Sequence, residues 1–180
     1  KTTWQLCFLY AVVFGAFVAF SNYLPTYLSN IYGFNANDAG MRAAGFAVAA
    51  VIARPFGGVL ADKFGPKVIS LISLGGVVIL AVITAFQPNA EHVYGPVFIL
   101  MAALLGLGHG SVFGWVGRVA DPKNVGAVSG VIAAAGALGG FFPPLVMGAT
   151  YNQAENNYFI GLMLLAVTAA LAFLSAFLVP

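Results

Sequence analysis

Arg54 stands inside an otherwise apolar, helix-like stretch, "VIARPFGGVLADKFGPK" at residues 51–67, and the next charges along the chain are Asp62 and Lys63. Guanidinium is permanently charged and presents a planar fork of donors that suits a planar oxyanion. At 1.5 Å per helical residue, Arg54 lies about 12 Å from Asp62, too deep in hydrocarbon for snorkelling to reach water easily. An intramembrane arginine costs at least about 2.5–3.5 kcal/mol on insertion scales, so it ordinarily faces a cavity or a partner. The acids Asp38, Asp62, Glu91, Asp121 and Glu155 all fall at the ends of apolar runs, which leaves no buried carboxylate to neutralise it. An anionic solute is then the expected partner. The alternative is an arginine that ties a bundle together by bonding backbone carbonyls. Pro55 removes a backbone donor beside it and can kink the helix.

Tyr10 and Phe14, in "FLYAVVFGAF", are four residues apart and share one helix face. A tyrosine hydroxyl can donate to an anion while a phenyl ring excludes water, although aromatics at this spacing more often serve the core or face lipid. In "VSGVIAAAGALGGFFPP", residues 128–144, Ser129, Ala133, Gly136 and Gly140 form a nearly side-chain-free stripe that permits close helix packing or lines a narrow pore. His109, in "GLGHGSVFGWVG", can relay protons, but a histidine bonded within a bundle is the more usual role. The single cysteine, Cys7, excludes a disulfide framework and a paired-cysteine metal site. No nucleophile–base–acid set and no metal-ligand cluster shares a common depth, so neither an enzyme nor a metal or cofactor site is expected.

The elements that must position these residues follow from composition. Of 180 residues, 61% are hydrophobic and 7% charged, far below the charge of a soluble domain. Helical runs of roughly 20 apolar residues, enough to cross about 30 Å of hydrocarbon, recur from end to end. Breaking the chain at its polar, Gly and Pro punctuation predicts six spans at 4–30, 38–62, 68–87, 94–117, 124–150 and 157–179. The fold class is thus an all-α membrane protein, a single six-helix transmembrane bundle over residues 1–180 with short loops and antiparallel neighbours. The first run shows no small-residue cleavage site and is expected to be a permanent span. Lys1, Lys63, Lys67, Arg118 and Lys123 flank one side; Asp38, Glu91 and Glu155, with only Arg42 nearby, flank the other. By the positive-inside bias both termini are expected to be cytoplasmic. The net charge of +2 and the lack of a basic–aromatic cluster argue against nucleic acid. Lipid, other helices and a small solute are the expected partners.

The end of the second span, "GGVLADKFGPK", matches the G-x-x-x-D-[RK]-x-G-x-[RK] loop of the major facilitator superfamily through Gly58, Asp62, Lys63, Gly65 and Lys67. Gly58 allows a neighbouring helix to approach, Gly65 supplies a tight turn, and Asp62 can pair with a cation or face a positive helix end. Arg118, with the helix start near Asn124, is the expected counterpart, and by resemblance the pair forms a latch for the outward-facing state. The bland reading is a solvated loop that only fixes topology.

Taken together, "FLYAVVFGAFVAFSNYLP", "ARPFGGVLADKFG" and "AAAGALGGFFPP" resemble the nitrate/nitrite porters of the major facilitator superfamily, specifically their C-terminal six-helix half. The resemblance covers essentially the whole chain. It implies a bacterial inner-membrane porter in which Arg54 is one of two arginines that bind nitrate or nitrite. It also implies that Tyr10 and Phe14 line that site, and that Gly136, Gly139 and Gly140 lie in a signature helix along which the bundles rock. The N-terminal half, with the second arginine and the first glycine signature, is not in this sequence. The expectation is a piece of a longer porter, or a half that associates with another half-transporter. With no embedded carboxylate, exchange is easier to picture than carboxylate-driven proton symport. A porter for small organic anions and a non-transporting membrane interaction module are the competing readings.

Overall fold

The computed structural model describes residues 2–88, 91–155 and 157–180. Lys1 and the side chain of Glu91, both used in the charge argument, lie outside the described residues. Six helices follow in order: α1 (Thr2–Tyr32), α2 (Ala36–Phe64), α3 (Pro66–Ala85), α4 (Glu91–Val119), α5 (Val125–Ala149) and α6 (Phe159–Ala176). By length and composition all six can cross a membrane.

Local chemistry explains where the helices depart from the predicted spans. α2 starts two residues earlier than position 38 because Asn35 caps it. The Asn35 side chain accepts the Asp38 N–H at 2.9 Å and donates to the Asp38 carboxylate at 2.8 Å. Gly65 alone separates α2 from α3, at φ +95°, a conformation open to glycine, and Pro66 then opens α3 directly. The third helix therefore covers 66–85 rather than 68–87. α6 stops at Ala176, where the chain tightens into turns with Phe177 N–H on Leu174 O at 3.2 Å and Leu178 N–H on Ser175 O at 3.0 Å.

Cross-chain bonds sort the helix ends into two layers. At one end Gln5 donates to Leu178 O, Lys67 to Phe177 O and Val179 O, and Trp115 Nε1 to Pro180 O. At the other, Asn30 donates to the Tyr158 hydroxyl at 3.1 Å, and the Tyr32 hydroxyl to Pro88 O at 2.8 Å. Consecutive helices therefore run in alternate directions. Most of the tyrosines gather toward this second end; Tyr32 stacks on Tyr94 and Tyr151 on Tyr158, each pair with ring centres 4.4 Å apart. That is the amphipathic belt expected where a bundle meets the membrane–water boundary.

α1 runs along α5, α2 along α4, and α3 along α6. Small residues set the closest crossings, as expected where lipid gives helices no hydrophobic reason to associate. Gly57 of α2 lies against the Leu107 backbone, Gly106 of α4 against Ala50 O, and Gly110 against Arg54 O. α1, α3 and α4 are the most covered, with 50%, 50% and 56% of their spans buried, whereas α2 and α5 are only 22% and 17% buried. The least covered helices are therefore those that carry Arg54 and the glycine stripe.

Candidate functional site

The α2–α4 crossing positions Arg54. A Cβ on Gly110 would overlap the Arg54 carbonyl oxygen, so only glycine allows α4 to lie this close. The crossing also places His109, next to Gly110, beside the interior face of α1. Gly108, on its other side, packs against Ser73 and Val13.

The Arg54 guanidinium carbon lies 5.0 Å from the centre of the Phe17 ring. Its Nε is buried without a hydrogen-bond partner, and no carboxylate pairs with the side chain among the described residues. The charge is therefore held by an aromatic face, an attraction worth about 0.5–2 kcal/mol. Among the described residues no backbone carbonyl accepts from it, contrary to the bundle-tying alternative.

α1 contributes Tyr10, Phe14 and Phe17, one face at spacings of four and three. Each of the three meets His109 edge-on, at centroid distances of 5.4, 5.6 and 5.6 Å. Tyr10 also packs on Phe14 at 5.8 Å and on Phe113 at 4.9 Å, while Phe17 stacks on Phe46 of α2 at 6.3 Å. The Tyr10 hydroxyl makes no hydrogen bond among the described residues and lies within electrostatic reach of Arg54. One aromatic cluster thus joins Tyr10, Phe14 and Arg54. Its hub, His109, and the seat of the guanidinium, Phe17, were not among the expected site residues. Phe17 was detectable as the next turn of the Tyr10–Phe14 face.

Gly136, Gly139 and Gly140 do not touch Arg54. The ring of Tyr10 fills the space at Gly136, the Ala11 backbone lies on Gly139, and Phe14 and Val18 lie beside Gly140. The buried face of α5 is Ile132, Gly136, Gly140 and Met147, so of the predicted stripe Ala133 is exposed and Ser129 only half-buried. In this arrangement the glycines seat α1, and with it Tyr10 and Phe14.

At the α2–α3 turn, Asp62 and Arg118 meet differently from the expected ion pair. Arg118 Nη2 donates to the main-chain oxygens of Ala61 at 2.9 Å and Asp62 at 2.8 Å, and the exposed Asp62 carboxylate forms no ion pair among the described residues. The last carbonyls of a helix lack partners and carry the negative end of its dipole, so they attract the guanidinium and disfavour a nearby carboxylate. Lys67 acts similarly across the bundle, with Nζ 2.9 Å from both Phe177 O and Val179 O past the end of α6. Lys63 lies 5.3 Å from its neighbouring Phe64 ring; a Cβ on Gly58 would lie an ordinary 4.0 Å from Gly110 O, whereas one on Gly57 would overlap the Leu107 backbone, so Gly57 is the position that requires glycine.

A family model described as the Major Facilitator Superfamily matches residues 6–180. The chain is 56% identical over 170 residues to the probable nitrate/nitrite transporter NarK2 of Mycobacterium tuberculosis strain H37Rv, a match to 94% of this chain and 43% of that protein. It is 39% identical over 171 residues to the nitrite extrusion protein of Bacillus subtilis strain 168, covering 94% of this chain and 42% of the relative. Among solved structures it resembles the proton:xylose symporter XylE bound to 6-bromo-6-deoxy-D-glucose. The TM-score is 0.77 at 16% identity, covering 99% of this chain and 44% of that one, a likeness of fold alone. The chain spans less than half the length of these relatives. Its six apolar helices, its paired-helix packing and this match over nearly its whole length lead to one assignment: the chain belongs to the Major Facilitator Superfamily.

Proposed function

We propose that this chain works as the C-terminal half of an inner-membrane porter for nitrate and nitrite, operating by alternating access. Arg54 carries the reading: it is a half-buried guanidinium with an unpartnered buried Nε, held against Phe17 among the described residues. A monovalent planar oxyanion supplies the missing charge and accepts from the fork. Tyr10 offers a hydroxyl beside it, and Phe14 and Phe17 exclude water. The names of the nitrate and nitrite relatives support this choice of anion.

The N-terminal half is the partner in this reading. Ile52, Phe56 and Val59 of α2, and Leu138, Phe142 and Leu145 of α5, are exposed apolar side chains on the two least covered helices. Lipid and the partner half cover them together. The Lys63, Lys67, Arg118 and Lys123 side faces the cytoplasm with both termini, against Arg42 alone on the other. The role is solute transfer and not catalysis. Asp62, Gly58, Gly65 and Lys63 form the gating turn, with Arg118 and Lys67 fixing the helix ends beside it.

Flux by the full-length protein in proteoliposomes tests this. Nitrate and nitrite should enter and compete with each other, and formate or oxalate should compete poorly. Better competition by oxalate than by nitrite would replace this reading with an organic-anion porter.

A further inference from the structure

His109 is 2% exposed, and its two ring nitrogens are treated differently. Nδ1 lies 2.6 Å from the carbonyl oxygen of Leu105, one turn back in α4. A carbonyl can only accept, so Nδ1 carries a proton and donates it, leaving Nε2 as the titrating position. Nε2 is buried and has no hydrogen-bond partner among the described residues. Buried polar atoms are nearly always satisfied, and an orphan in an interior calls for a reason.

The surroundings supply one. Phe17 touches both the Arg54 guanidinium, at 5.0 Å, and the His109 ring, at 5.6 Å, so the two nitrogen-bearing groups share one aromatic seat, and Arg54 is close enough to act on His109 electrostatically. The titratable and charged groups facing the imidazole are Tyr10 from α1 and Arg54 from α2. α3 meets this stretch of α4 through Ser70, bonded to Ser111, and Ser73, bonded to Leu104 O, neither of them charged, and α5 and α6 contain no titratable residue. No acid is in contact with it among the described residues.

We infer that His109 is a proton-binding member of the anion site, so that one proton and one monovalent anion occupy this half together. This rests on the reading of Arg54 as the anion's cation. In the empty site, a proton on Nε2 would set a second positive charge beside Arg54 with nothing to offset it. An anion on Arg54 reverses that balance, and by reciprocity the proton tightens the anion. In the step, the Nε2 lone pair takes a proton from a hydronium ion of the bathing solution, breaking its O–H bond and releasing water, and forms an N–H bond, which donates to the anion. When the anion leaves, that bond breaks heterolytically and the proton returns to water. Empty and loaded sites carry the same net charge, so the movement of the pair is electrically silent.

Calorimetry on the full-length porter tests this, with nitrate titrated in buffers of different ionisation heat across a pH series. Wild-type protein should take up about one proton per nitrate, with affinity falling about tenfold per pH unit on the alkaline side. His109→Gln should bind nitrate without proton uptake and with pH-independent affinity. Nitrate binding by wild-type protein with no proton uptake would overturn the inference without any variant, as would proton uptake that survives in His109→Gln. If wild-type protein binds neither nitrate nor nitrite, the anion-porter reading falls first, and this one with it.

Discussion

Arg54 and Phe17 face each other across the α1–α2 boundary with the guanidinium carbon 5.0 Å from the ring centre, and Phe17 joins Arg54 to the His109 cluster. A cation held by a quadrupole, with no carboxylate bonded to it, keeps its donors available. An ion pair would spend them.

Replacing that ring should therefore be read in the anion and not in the fold. Phe17→Leu keeps an apolar side chain of similar bulk and removes the π face. Nitrate affinity of the full-length protein should drop by about 2- to 30-fold, matching a loss of about 0.5–2 kcal/mol. Isothermal titration checks it, with the melting temperature in detergent as the fold control.

The α1–α5 contact predicts a contrast between two glycines on one helix. A Cβ at Gly139 would overlap the Ala11 backbone, whereas nothing lies within 4 Å of one at Gly130. Gly139→Ala should destabilise by about 1–3 kcal/mol and weaken nitrate binding, because α1 carries Tyr10 and Phe14. Gly130→Ala should leave stability within about 0.5 kcal/mol of wild type. Thermal unfolding of the two variants side by side decides it.

Six helices were readable from the sequence because crossing hydrocarbon demands long apolar runs, and Arg54 was readable because a charge in such a run needs a reason. The identity of its seat was not. Phe8, Phe14, Phe17 and Phe20 all lie on α1, and which of them turns inward depends on the rotation set by Gly15 and Gly139, a tertiary contact. The glycine stripe was visible as a packing surface, but not that its partner would be α1 of the same half. Arg118 illustrates a different limit. An orphan helix carbonyl and a carboxylate one residue apart compete for the same guanidinium, and sequence spacing cannot rank them.

That competition gives a third prediction. Because Arg118 bonds the main chain of Ala61 and Asp62 and not the Asp62 carboxylate, Asp62→Asn and Arg118→Gln should act independently on thermal stability. A double-mutant cycle should return a coupling below about 0.5 kcal/mol. A coupling of several times that size would mean the carboxylate and the guanidinium pair in solution.

The central claim is that Arg54 supplies a forked charge for a planar anion. The most direct test is the nitrate dissociation constant of full-length Arg54→Lys, which keeps the charge and removes the fork. The account predicts binding weaker by about 10- to 150-fold in a variant that melts like wild type, the cost of losing about 1.5–3 kcal/mol of charge-assisted bonding. Wild-type nitrate affinity in a folded Arg54→Lys protein would contradict it.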